Sequence, residues 1–396
     1  MHADAKFGAY GQFTPPLDDA VAYAVTCEEI GLDAIAFTDQ ISANLPNAIW
    51  PEIPAAAFWG RQHAFLDASI VMALAANATH EIELYLGAID VVRHSPSKLA
   101  QHFLTLDHAA KGRAFFAIGA SEAKNVLMYG HGRIGSADKL ADSLAIIRKL
   151  LDSDGAPVWH EGNRYSMKGG VLELAPYGER PPLVLGATGG TPEVLALLGR
   201  YGDGLMTNLP GMCHGGPEQF ARDRDVIRVA AAIAGRDPDR LRFAASVLVL
   251  MHDDPDEITR MASTLALRWN AIVYGAVHGA EWRSFGFEHP LGDDWGYARH
   301  LVPERMSAED VRAATDRVPI EAVTRMAHFT GTADEIADMV EPYFDAGLEY
   351  AFVVDHAALA DPTQAEVSAA NVARLVERVR GRPLGVGKLG YLGVAE

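Results

Sequence analysis

The chain is 396 residues long, with 49% hydrophobic and 22% charged residues and a formal net charge of −18. That length can bury a large core, and α/β barrels use about 250 residues or more as one domain. The negative balance, with no basic run to reverse it, excludes a nucleic-acid or anionic-membrane surface.

Two cysteines, Cys27 and Cys213, exclude a disulfide framework, and Cys27 reads as a small core residue on a helix. The opening "MHADAKFGAY" has no apolar h-region, and no stretch approaches the ~18 apolar residues of a membrane span. The expected location is cytoplasmic, without membrane insertion.

In chain order, β-branched or aromatic runs at 7–13, 34–38, 82–89, 114–118, 183–185, 204–207, 243–251 and 350–354 read as strands. Amphipathic stretches such as "SKLAQHFLTLDHAAKG" and "DEIADMVEPYFDAG" fall between them, several closing on glycine. Eight strands in βα alternation predict a single α/β domain over 1–396, a (β/α)8 TIM barrel, with a doubly wound open sheet as the alternative. Three long insertions interrupt the rhythm: about 40–63 after strand two, a hairpin at about 157–175 after strand four, and about 269–329 after strand seven. Loops after barrel strands carry active sites, so these insertions are expected to build a substrate chamber.

The stretch "FFAIGASEAKN" brings the small residues Gly119, Ala120 and Ser121 to the end of a buried strand and then delivers Glu122. Small residues there let a flat or bulky group approach the backbone. Asp39, in "TDQ", and Asp90, in "GAIDVVRHSP", end the two preceding strands, so three consecutive strands place an acid on one rim, with Arg93 and His94 beside it. Each acid can cap a loop or face a ligand. In "LGATGGTPEVLALLGRYGDG", Gly186, Gly189 and Gly190 join a strand to a helix, with Thr191 as N-cap and Pro192 as its first residue. Such a junction offers free N–H groups to an anion, or simply turns the chain. No HExxH, Walker or GxSxG motif is present, and no metal is expected.

Taken together, "GLDAIAFTDQ", "LGAIDVVRHSPSKLAQHFLTLDHAAKGRAFFAIGASEAKN", "GATGGTPEVLALLGRYGDG" and "FTGTADEIADMVEPYFDAGLEYAFVV" resemble, in order and spacing, the bacterial luciferase-like superfamily. The segment "FGFEHPLGDDWGYARHLVPERM" is similar to the insertion of the phthiodiolone dimycocerosate ketoreductases, within the branch that uses the deazaflavin coenzyme F420. The resemblance implies a homodimeric cytoplasmic oxidoreductase, with the cofactor ring at the C-terminal strand ends. It implies hydride transfer to a C=O or activated C=C of a large, partly apolar metabolite of secondary metabolism (a lipid, polyketide or modified peptide). The implied cofactor contacts are Asp39, Ala88, Ile89, Asp90, Gly119, Ala120, Ser121, Asn125, Ala187, Thr188, Gly189, Gly190 and Thr191, with a non-proline cis peptide at Ile89–Asp90.

The implied catalytic residues are Glu122, Gln40 and His94. Glu122 is the expected acid, in a buried setting that would raise its pKa. Many relatives carry His where this chain has Gln40, and an amide cannot trade protons near neutral pH. Glu122, His94, His63, Tyr129 or water would then carry the proton. An FMN-dependent monooxygenase on the same barrel is the alternative, and a barrel that binds without catalysis is a third possibility.

Overall fold

A computed structural model describes residues 2–11, 14–187 and 189–385. Eight parallel strands form the barrel: β1 (Lys6–Tyr10), β2 (Ala34–Phe37), β3 (Glu83–Asp90), β4 (Ala114–Gly119), β5 (Leu183–Ala187), β6 (Gly204–Leu209), β7 (Arg242–Met251) and β8 (Tyr350–Asp355). The order runs β7–β8–β1–β2–β3–β4–β5–β6, and β6 pairs back onto β7, with Leu205 opposite Phe243, so the cylinder closes. The expected barrel is present. A short strand, Phe329–Gly331, extends the upper end of β7.

Local signals explain the surrounding helices. Helix Pro96–Ala110 begins with proline in its first turn and stops at Lys111, in the left-handed region at φ 54°. Helix Ala333–Asp345 opens on a capping box between Thr332 and Glu335. In the lumen, Tyr85, Phe115 and Phe352 pack in a tilted cluster against Ala34, Ala36, Ala117 and Ala244. The floor is therefore solid, as barrel cores are.

Strand five runs two residues beyond its predicted end. Gly186, expected in the turn, is a strand residue, and a Cβ there would run into Leu198 of helix Pro192–Tyr201. Its glycine serves close packing of helix on strand.

The insertions divide into two kinds. Residues 40–63 and 269–329 meet each other above the barrel and build a second apolar core, in which Ile49, Trp50 and Ile53 pack with Trp269, Ile272 and Trp282. Polar ties reinforce it: Trp269 Nε1 donates to Asn44 O at 2.8 Å, and His63 pairs with Glu304 at 2.5 Å. The hairpin, Val158–His160 with Met167–Gly170, follows helix Ser136–Leu151 and packs against it. Asp142 of the helix holds it through the N–H groups of Arg164 and Tyr165. Its Tyr165 also donates to Val91 O at 3.0 Å, next to Asp90, so this insertion reaches the loop above the end of β3. Among the described residues, no helix is long and apolar enough to cross a membrane.

Candidate functional site

The mouth of the barrel, at the C-terminal ends of its strands, gathers most of the residues singled out above. The bed comes from β3, β4 and β5. Ala88 is exposed in the middle of an otherwise buried strand. Its Cβ and that of Ala187 lie 3.7 and 3.8 Å from where a Cβ on Gly119 would stand. Three small residues thus leave a shallow open floor. The register of β3 against β4 shifts between Leu86 and Ile89, and the cis peptide is Gly87–Ala88. The expectation of Ile89–Asp90 is wrong by two residues: Ile89 and Asp90 pair regularly with Ile118 and Gly119. The bulge falls where a glycine is required, since a Cβ on Gly87 would strike the Tyr85 ring.

The rim on one side is charged. Arg93 donates to Asp39 Oδ2 at 2.7 Å and through Nε to Asp90. Burial works against the Arg93 charge, but the two carboxylates outweigh it and hold the guanidinium above its ordinary pKa. Burial raises Asp39, with Arg93 and His94 pulling the other way. Asp90 also accepts the N–H groups of Val92 and Arg93, so it caps its own loop. His94 Nδ1 lies 3.0 Å from Asp90 O. Asp39, Asp90 and His94 bring ligand atoms within 4.8 Å of one another, but the positive charge between the carboxylates is Arg93.

Glu122 follows Ser121, which is held at φ 86°. Its half-exposed carboxylate accepts from Lys124 Nζ at 2.9 Å and from Asn125 Nδ2 at 3.3 Å. Asn125 in turn accepts the N–H groups of Ile41 and Ser42, tying the β4 loop to the β2 loop. Gln40 accepts from Lys124 at 3.3 Å. From the roof, Tyr297 hydrogen-bonds Glu122, and burial followed by the Glu122 charge pushes its phenol well above the usual value. Tyr274 stacks on His356, meets Tyr297 at a tilt and accepts from Asn44. Below, Tyr10 meets Ser246 at 2.5 Å. Arg133 leaves a buried Nε without a partner and lies in the fields of Glu122 and Asp90.

Across the mouth, exposed Gly189 and Thr191, with part-buried Gly190 between them, lead into helix Pro192–Tyr201, whose first turn has no side-chain cap from Thr191. Glu193 takes the Thr191 hydroxyl and its own N–H, and it is fully exposed. The anion position is therefore open but has an acid at its door. Thr188 lies outside the described residues. Of the other proton carriers considered, His63 is committed to Glu304 and to Ala43 N, and Tyr129 is exposed. Sequence reasoning missed Lys124, Arg133, Tyr274, Tyr297 and His356. Lys124 was visible only as a charge in a loop, which ordinarily points to solvent.

A closed parallel barrel with a small-residue bed, an acid at the end of its fourth strand and a glycine turn at its fifth defines a class of redox barrel. The model of the luciferase-like monooxygenase family matches residues 2–350, and the chain belongs to that family as an oxidoreductase. Among curated relatives it is 29% identical over 300 residues to the phthiodiolone/phenolphthiodiolone dimycocerosates ketoreductase of Mycobacterium kansasii, covering 76% of this chain and 79% of the relative. Among solved structures it resembles an F420-dependent secondary alcohol dehydrogenase in complex with an F420–acetone adduct (TM-score 0.65, 19% identity, 91% of this chain and 97% of that one). It also resembles the oxygenating constituent of 3,6-diketocamphane monooxygenase from the CAM plasmid of Pseudomonas putida in complex with FMN (TM-score 0.62, 19% identity, 96% and 99%).

Proposed function

We propose that the protein is a reductase using reduced F420 to deliver a hydride to a ketone, or to an activated C=C, of a large and partly apolar metabolite. The observation that carries this reading is the bed of small residues, Ala88 exposed within buried β3 beside Gly119 and Ala187 at the ends of β4 and β5, with Glu122 three residues beyond Gly119. A planar ring fits such a bed, because any larger side chain at these positions would fill it. Arg133 Nε, buried and unpartnered, and the uncapped turn before helix Pro192–Tyr201 suit the polar and anionic parts of the same cofactor. A deazaflavin, when bound and reduced, supplies a hydride with little oxygen chemistry.

The chain's own residues then orient the acceptor and manage one proton. Tyr274, Tyr297 and the roof core exclude water and offer aromatic surface to an apolar substrate. Glu122 is the carboxyl group placed to pass a proton to the acceptor, with Asn125 donating to it. The curated ketoreductase relative, matched over most of its length, supports carbonyl reduction over oxygenation. A homodimer in the cytoplasm and a place in secondary metabolism are part of the same proposal.

The test is direct. Titration of the purified protein with F420 and with FMN should show fluorescence quenching by the first at much lower concentration. Stopped-flow mixing should oxidise reduced F420 only when a ketone is present. Reduced FMN consumed with oxygen and substrate, while reduced F420 stays inert, would establish the FMN monooxygenase alternative.

A further inference from the structure

Lys124 belongs to neither the rim acids nor the bed, and it is 0% exposed. Its ammonium has three N–H donors and meets three acceptors: Ser42 O at 2.8 Å, Glu122 Oε2 at 2.9 Å and Gln40 Oε1 at 3.3 Å. A buried ammonium costs several kcal/mol unless it is well paired. This one is paired with a carboxylate that itself faces the mouth, its side chain 30% exposed. The other groups turned toward this pair are Asn125 from the same loop, Tyr274 and Tyr297 from the roof and Arg133 from the segment before helix Ser136–Leu151. Gln40 cannot exchange a proton, so Lys124 is the titratable group in contact with both it and Glu122.

We propose that Lys124 is a positioning residue that fixes the Glu122 carboxylate and recharges it with the proton consumed in reduction. The inference rests on the reductase reading above. A reduced deazaflavin, when bound, would be the two-electron reductant: one of its ring C–H bonds would break as it is oxidised, the ketone carbon would gain the C–H bond, and the C=O π pair would pass to oxygen as an alkoxide. Within the pair, an N–H bond of Lys124 breaks and an O–H bond forms on Glu122. That O–H bond then breaks as the alkoxide becomes an alcohol. Glu122 returns to its carboxylate, and the neutral Lys124 amine is reprotonated from solvent. The ion pair thus stores one transferable proton beside the bed, in the place where Gln40 can only hold an oxygen or a donor.

Two measurements decide it. The first needs no cofactor: protein labelled at lysine Nζ with nitrogen-15 should show an ammonium resonance protected from exchange. That resonance should vanish in Lys124→Met and shift in Glu122→Gln. If the wild type lacks it, or if Glu122→Gln leaves it unmoved, the pairing is overturned. The second uses reduced F420 and 2-undecanone as probe ketone in single turnover. Lys124→Met should keep F420 affinity within ~3-fold and its circular dichroism unchanged while the rate falls ~100-fold or more.

Lys124→Ala should lose as much and regain at least ~10-fold with added ethylamine, which a purely structural lysine would not allow. Wild-type rates in Lys124→Met, or no rescue of a folded Lys124→Ala that still binds F420, overturn the recharging role. A wild type that fails to quench F420 overturns the functional reading itself, and this is seen before any lysine is changed.

Discussion

Among the described residues two Lys–Glu pairs stand at opposite ends of the barrel, and they are built differently. At the floor, Lys6 meets Glu83 at 2.5 Å, Glu83 also accepts from Tyr350, and the ammonium sits over the Tyr350 ring at 4.8 Å. These residues begin β1, β3 and β8, so their backbones are fixed by the sheet and both charges reach solvent. At the mouth, Lys124 and Glu122 stand on a loop after β4, one wholly buried and the other open to the chamber. The floor pair links three strands that are already paired. The mouth pair holds a carboxylate at an opening, with Asn125 and Tyr297 as its other partners and no strand beneath it.

The sharpest way to break this comparison is to neutralise the two glutamates in turn. Glu122→Gln should lower F420-dependent turnover ~100-fold or more with F420 affinity nearly unchanged, as expected for loss of a general acid. Glu83→Gln should leave turnover within ~3-fold. Equal losses from both would erase the distinction.

A smaller effect distinguishes small residues at the two levels. Ala88→Leu, at an exposed bed position, should weaken F420 binding ~10-fold or more in a quenching titration, with Tm little changed. Ala117→Leu, fully buried against the floor aromatics, should instead lower stability by ~1–3 kcal/mol in urea unfolding, because overpacking strains a filled core.

Lys6→Met should cost about 1 kcal/mol or less, read by the same unfolding curve, since its ion pair is partly exposed. The smallest effect is pH-dependent. Burial pushes His328 down to about 4 and His356 down to about 3, from 6.5, so both are neutral in the fold. In the unfolded chain each takes up a proton near pH 6.5, so their contribution is complete above that value and is lost as pH falls toward 4. Asp355, pushed up to about 6 by burial, acts with the opposite sort of pH dependence in the same window, so the comparison between variants is what isolates the histidines. His356→Gln should narrow the Tm gap between about pH 7 and pH 4.5 by a few degrees relative to wild type.

Much of the frame was readable from residue order. Alternating apolar runs gave the eight strands because parallel barrel strands are buried on both faces and carry little else. The acid after β4 and the glycine turn after β5 stood out because strand ends in such barrels point to one face. The sequence could not show how the hairpin is held, since that depends on Asp142 catching the N–H groups of Arg164 and Tyr165 and on Tyr165 reaching Val91 O. Nor could it place the bulge, which follows from the fit of Gly87 against the Tyr85 ring.

By itself, then, the sequence determined the barrel, its strand order, and which strand ends bear Asp39, Asp90 and Glu122, because those features follow from local periodicity and short-range turn chemistry. Only the tertiary structure decided what those acids meet. Lys124 and Gln40 are 84 residues apart in the chain and reach each other only because β2 and β4 flank β3 in the closed sheet. Tyr297 reaches Glu122 only because the roof insertions share a core. A charge in a loop reads as solvated until the fold brings partners to bury it.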